Sequence, residues 1–116
     1  MERHFPSDSV DFVHQMRTAL SPALPYGPTL IPFDIMVAVI QASRDTRPMT
    51  MKRLCEALPY SVTGIRYNLN QLIKDGWLSK ARHREDRRLV HLLPTAEGEN
   101  ALTEVHERLL GYRRRQ

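Results

Sequence analysis

The side chains of this sequence best suited to chemistry are recognition groups. Arg66, Tyr67 and Asn70 lie within about one helical turn of each other, and Arg84, Arg87 and Arg88 crowd a short charged run from His83 to Arg88. An arginine fork matches the acceptor edge of guanine and an asparagine amide matches adenine, so the first group can read base edges in a major groove. The second is an arginine cluster that repels itself and is stabilised in a narrow minor groove. Solvated helix faces and solubilising hairpin tips have similar compositions, but a tyrosine gains little from exposure, which favours contact. Double-stranded DNA is the expected partner.

Groups for catalysis do not assemble in the same way. The sequence has no glycine-rich phosphate loop, no zinc signature and no serine or cysteine beside an evident base. His4, His14, His83, His91 and His106 lack the paired spacing of metal ligands, so neither a metal nor a cofactor is expected. Cys55 is the single cysteine; it falls between Leu54 and Leu58 and reads as a small packed residue, with no second thiol to resolve an oxidised form. The expectation is a binding protein and not an enzyme.

Two elements must present the recognition groups. Val62, Ile65, Leu69, Leu72 and Ile73 recur at helical spacing and form an apolar stripe, which puts Thr63, Arg66, Tyr67, Asn70 and Lys74 on the other side. Ser61 can cap the first turn, and Gly76 follows the last, where a left-handed residue readily ends a helix. The period then changes to that of two short strands, Trp77 to Arg82 and Leu89 to Leu93, joined by the charged turn. Trp77 is expected to anchor the core or the hairpin. Upstream, Thr50 can cap a short helix with Met51, Leu54, Ala57 and Leu58 on its inner side, and Leu58, Pro59 and Tyr60 make a turn of helix-turn-helix length. Lys52 and Arg53 occupy the first turn of that short helix, where the dipole disfavours cations. A phosphate bound there would compensate, whereas two solvated side chains would cost only about a few tenths of a kcal/mol. Both readings stay open.

The rest of the chain supplies a core and two flanks. Ser7 or Ser9 can cap an N-terminal helix whose apolar face includes Val10, Val13, Met16 and Leu20. Pro22, Pro25, Gly27, Pro28 and Pro32 then mark a stiff linker, ended by Thr29 as a cap. A helix from Ile31 to about Ser43 is apolar nearly all round and should be the most buried element. After the hairpin, Pro94 should break the strand and Thr95 should cap a final helix bearing Leu102, Val105 and Leu109, followed by a basic tail.

Composition sets the limits. The 116 residues fit one domain with a modest core, and the formal net charge of +4 favours an acidic partner without identifying one. More informative is the clustering of Arg66, Lys74, Lys80, Arg82, Arg84, Arg87 and Arg88 between Ser61 and His91, opposed there only by Asp75, Glu85 and Asp86. No apolar run approaches the roughly 20 residues that span a bilayer, and the first residues lack the apolar core of a signal peptide. The lone cysteine suits a reducing compartment, so the cytoplasm is expected and a membrane partner is not.

The run TLIPFDIMVAVIQA, followed by MTMKRLCEALPYSVTGIRYNLNQLIKDGWLSKARHREDRRLVHLLPTAEGENAL, resembles the winged-helix core of the multiple-antibiotic-resistance (MarR) regulators over roughly Leu30 to Leu102. The most specific part is DRRLVHLLPTAEG, with an Asp-x-Arg wing tip, an alternating return strand and a Thr-x-x-Gly helix start. The resemblance implies a homodimer with recognition helices in the major groove and wings at adjacent minor grooves. It makes Arg88 the minor-groove arginine and Asp86 the residue that holds the wing tip through an ion pair. It also matches Ser61, Thr63, Arg66, Tyr67 and Asn70 to groove-facing positions. The chain departs from the family pattern with Pro59 and Tyr60 in the turn, Gly64 in the recognition helix, and a single helix after the wing.

The resulting expectation is a mainly α winged helix-turn-helix with a small β hairpin, in the order α-α-α-α-β-β-α. Residues 1–28 would form a dimerisation helix and linker, 29–94 the DNA-binding domain, and 95–116 a second dimerisation helix with its tail. The terminal helices motivate the dimer, because each carries an apolar face that the central helices can cover only in part. The expected activity is sequence-specific transcriptional regulation at a pseudo-palindrome, as a repressor by family resemblance. A small-molecule effector could be framed by the linker and the terminal helices. The alternative is a winged-helix module that contacts another protein and binds DNA without sequence preference.

Overall fold

The apolar run beyond Pro32 folds as helix α1, Ile31–Arg44, with the proline in its first turn, where a missing N–H costs nothing. The computed structural model describes residues 29–45 and 47–114. The expected N-terminal helix, most of the proline-rich linker and the last two residues of the basic tail lie outside them. After α1 come α2 (Met51–Ala57), α3 (Val62–Lys74), β1 (Leu78–Arg82), β2 (Val90–Pro94) and α4 (Ala96–Arg114). Thr29 does not cap α1 in the usual way. The capping position is Leu30, and the Thr29 hydroxyl accepts the Ile31 N–H at 3.2 Å from one residue further out.

Thr29–Asn100 forms one compact unit. Its core is centred on α1, as its all-round apolarity requires: Ile35, Met36 and Val39 are fully buried, together with Leu54 of α2, Ile65 and Leu72 of α3, and Leu78 and Leu92 of the hairpin. Of the four residues expected on the inner side of the short helix, Leu58 falls just past its end, only Leu54 is buried, and Ala57 is exposed, because a seven-residue helix offers the core little more than one position.

The hairpin is antiparallel, with Leu78 opposite Pro94 and Arg82 opposite Val90. Pro94 was expected to break the return strand and is instead its last residue, a place where a strand tolerates a missing donor. Along the chain, Arg44 to Met49 reads as a loop between α1 and the Thr50 cap. Met49 is in fact buried and bridged to Leu92, whose N–H donates to the Met49 carbonyl at 2.8 Å, so the hairpin gains a third partner before α2 begins.

The Thr-x-x-Gly start of α4 is a clamp. The Thr95 hydroxyl accepts the Gly98 N–H at 3.1 Å and donates to the Gly76 carbonyl at 2.6 Å, with the Trp77 carbonyl oxygen at 3.0 Å. Gly98 is buried against that same backbone, and a Cβ there would stand 2.2 Å from the Trp77 oxygen. One hydroxyl and one absent side chain therefore fix where α4 leaves the hairpin.

The second compact unit includes the chain from Ala101 onward, described as far as Arg114 as the continuing helix α4. Ala101 and Val105 are buried, and Leu102 and Leu109 are half-buried. Glu104 and Arg108 pair at 3.0 Å in the order that favours a helix, a contribution of about 0.3–0.5 kcal/mol. Among the described residues no helix is long and apolar enough to cross a membrane.

Candidate nucleic-acid interface

The helix-turn-helix is assembled from local caps and one long-range bond. Thr50 accepts the Arg53 N–H at 3.2 Å, and Ser61 accepts the Gly64 N–H at 3.0 Å, so both helices begin on a side-chain cap. Between them the Tyr60 hydroxyl donates to the Asp34 carboxylate in the first turn of α1 at 2.5 Å. Donating that bond favours the neutral phenol, and partial burial and the carboxylate charge act in the same direction, so the Tyr60 pKa lies above its usual 10.0. The turn that departs from the MarR pattern is thus tied to the scaffold by its own tyrosine.

Lys52 and Arg53 separate in role. Lys52 is exposed, while the Arg53 guanidinium donates through Nη1 to the carbonyls of Arg47 and Pro48 at 2.9 and 2.8 Å. The cation in the first turn of α2 therefore has a local function, closing the loop before its helix, that a phosphate is not needed to explain.

Helix α3 presents the expected polar face. Thr63, Arg66, Tyr67, Asn70 and Lys74 are exposed, whereas Ile65, Leu69 and Leu72 are buried behind them. Ser61, at the cap, is exposed as well. The Asn68 amide donates back to the Gly64 carbonyl at 2.8 Å and so belongs to the helix. Among the described residues, neither Arg66 nor Asn70 makes a side-chain hydrogen bond or ion pair. Val62, expected in the dry stripe, is exposed instead. It shares the azimuth of Leu69 but leads the first buried position, Ile65, by a turn.

The end of α3 sets the direction of the wing. Gly76 has φ +85°, its N–H donates to the Ile73 carbonyl, and the Trp77 N–H donates to the Leu72 carbonyl, which is the paired-bond termination that needs a left-handed residue. The chain turns there directly into β1, with Leu78 buried.

At the wing tip the charged residues are organised. The His83 N–H donates to the Leu89 carbonyl at 2.8 Å and the Leu89 N–H to the Asp86 carbonyl at 3.0 Å. Arg82 reaches across the loop and donates through Nη1 to the Arg87 carbonyl at 2.7 Å, a role that sequence reasoning missed. The Asp86 carboxylate accepts both the Arg88 N–H at 3.1 Å and the Arg88 Nε–H at 3.2 Å. This is the expected wing ion pair. With the Arg88 side chain 93% exposed it contributes at most about 1 kcal/mol, so its effect is to orient the guanidinium more than to stabilise the fold. Arg84 and Arg87 are exposed beside it, and the rings of His83 and His91 meet edge to face at 6.2 Å below.

The arrangement is a helix-turn-helix followed by a hairpin whose basic tip projects from the same unit. A family model described as a winged helix DNA-binding domain matches residues 34–98, the span from Asp34 to the Gly98 clamp. The chain belongs to the winged helix DNA-binding domain family. Solved structures are similar as well. The transcriptional regulator Tm0710 from Thermotoga maritima is 22% identical, with a TM-score of 0.69 over 98% of this chain and 78% of that one. A variant of MepR from S. aureus bound to an oligodeoxyribonucleotide is 12% identical, with a TM-score of 0.74 over 97% and 81%. A mutant of MarR from E. coli complexed with operator DNA is 17% identical, with a TM-score of 0.62 over 91% and 78%. These are likenesses of fold, and the fold is the one that the MarR resemblance implied. A search of curated protein sequences gave no match.

Proposed function

We propose that this chain is a transcriptional regulator that binds double-stranded DNA sequence-specifically as a homodimer, and that it acts as a repressor. Helix α3 enters the major groove of each half-site, and the wing lies at the adjacent minor groove. The observation that carries this reading is the α3 face, where Arg66 and Asn70 are exposed beside Thr63 and Tyr67 and have no partner among the described residues. Fork and amide donors kept unpaired on a capped, rigid helix suit base edges. Arg84, Arg87 and Arg88 supply the cations for phosphates and a narrow minor groove, with Arg88 oriented by Asp86. Lys52 and the Ser61 hydroxyl flank the helix as backbone contacts, and Arg53 serves chiefly by holding its loop. That two proteins of the same fold are complexed with operator DNA and an oligodeoxyribonucleotide supports DNA as the partner.

The dimer contacts in this reading come from Val10, Val13, Met16 and Leu20 with Leu102 and Leu109. Val105 has little surface to give a partner, being 5% exposed in the single chain. Two-fold assembly places the recognition helices about 34–36 Å apart, one turn of DNA. Selection of bound sequences from a random duplex library at near-physiological salt tests the whole reading. Enrichment of a pseudo-palindrome is the expected result. Binding that collapses with salt and enriches nothing overturns it in favour of a protein-interaction module.

A further inference from the structure

Three large apolar side chains among the described residues are more than a third exposed: Val62 at 52%, Tyr67 at 64% and Leu89 at 38%. Isolated exposed apolar residues are ordinary. Here, however, two belong to α3 and the third adjoins the wing arginines, so all three lie on or at the edge of the candidate interface. Tyr67 has a hydroxyl, which the Gln71 amide approaches at 3.4 Å, and so has a polar reason to face water. Val62 has none. It is a β-branched residue in the first helical position, where many residues fit equally well and branching brings no helix propensity.

Resting on the reading that α3 enters a major groove, we infer that Val62 is a specificity-determining residue that reads a thymine through its C5-methyl group. Recognition helices address base edges with their N-terminal residues, and Val62 is the first residue of α3. In the major groove thymine alone offers a methyl group, and an apolar side chain is the complement that distinguishes it. Val62 and Arg66 are four residues apart on one edge of the helix, with Cβ atoms about 5–6 Å apart, so their contacts fall about one to two base pairs apart along the duplex. The half-site should therefore hold a thymine within two base pairs of the guanine addressed by Arg66.

The test compares the full-length protein with Val62→Ala on the duplex that the wild type selects, each thymine being replaced in turn by deoxyuridine, which removes only the methyl group. The wild type should bind about fourfold more weakly for each replacement opposite a Val62, the effect of losing one buried methyl contact, and about fifteenfold more weakly when both half-sites carry it. Val62→Ala should bind the thymine and deoxyuridine duplexes equally. A wild type indifferent to every replacement, or a Val62→Ala protein that keeps the wild-type sensitivity, overturns the inference while leaving sequence-specific binding intact. If the library yields no selected duplex, the reading on which the inference rests has failed, and the inference with it. Val62 is exposed and alanine is a strong helix former, so the variant should keep its fold, which circular dichroism checks.

Discussion

Replacing Gly98 by alanine should destabilise the protein even though alanine is the better helix residue. Propensity alone favours the substitution by about 1 kcal/mol. Against it, the new Cβ would lie 2.2 Å from the Trp77 carbonyl oxygen and 2.8 Å from Met36 Cε, where ordinary contact begins near 3.4 Å. The methionine can swing away, but the carbonyl belongs to a backbone held by the termination of α3 and by Thr95. Relief therefore requires the start of α4 to retreat from the hairpin by about 1 Å. Overpacking of that kind costs about 1–3 kcal/mol, with the upper part appropriate to a backbone obstacle. The retreat also pulls Thr95 from its partners, and a lost cap adds about 1 kcal/mol. The net loss should be about 2–3 kcal/mol, or about 10 °C in Tm for a chain of this size.

Gly64→Ala is the matched control. Its Cβ would meet only the Ser61 hydroxyl at 3.1 Å and Ile31 Cδ1 at 3.9 Å, both side-chain atoms that can shift. The propensity gain should then survive in part, leaving stability within about 1 kcal/mol of the wild type. Thermal and urea unfolding followed by circular dichroism, at one protein concentration because dimerisation would raise apparent stability, measures both. An unchanged or raised Tm for Gly98→Ala, or equal shifts in the two variants, refutes the close-approach explanation.

Two further predictions concern the turn and the interface. The folded state raises the Tyr60 pKa above 10.0, so the stability its bond to Asp34 contributes is fully present below pH 10 and is lost as pH rises through the folded value. Tyr60→Phe should be less stable at neutral pH and should lose less stability on going to alkaline pH, and the ultraviolet titration should lack one late-ionising phenol; identical alkaline profiles would remove Tyr60 as the anchor. On DNA, Arg66→Ala should relax base preference at one position by about 1–3 kcal/mol of discrimination, whereas Arg88→Ala should weaken binding and lower the salt slope by about one unit. Equal loss on every sequence with Arg66→Ala would remove it as a base reader.

The parts of the protein that the sequence alone makes legible are those whose causes lie within one turn of chain. Thr50, Ser61 and Thr95 cap because a hydroxyl reaches an N–H three residues on. Gly76 ends α3 because only a residue without a Cβ takes φ +85° freely. The period of Ile65, Leu69 and Leu72 sorts the face of Arg66 and Asn70 from the core, and the Asp86 to Arg88 pair is two residues long. The winged helix and most of the proposed interface follow from these.

What tertiary structure alone decides depends on neighbours distant in sequence. Val62 fits the apolar stripe by azimuth, yet whether it is covered depends on how far the packed elements extend along α3, and it lies a turn beyond the first buried position. Pro59 and Tyr60 look like departures from a family pattern until the hydroxyl meets Asp34, 26 residues away. Arg53 sits in the first turn of α2 with no evident partner along the chain, and only the folded loop brings the Arg47 and Pro48 carbonyls to its Nη1. Gly98 is a flaw in a helix when read along the chain and a requirement in three dimensions, because periodicity records which way a side chain points and holds no information on how closely another backbone approaches.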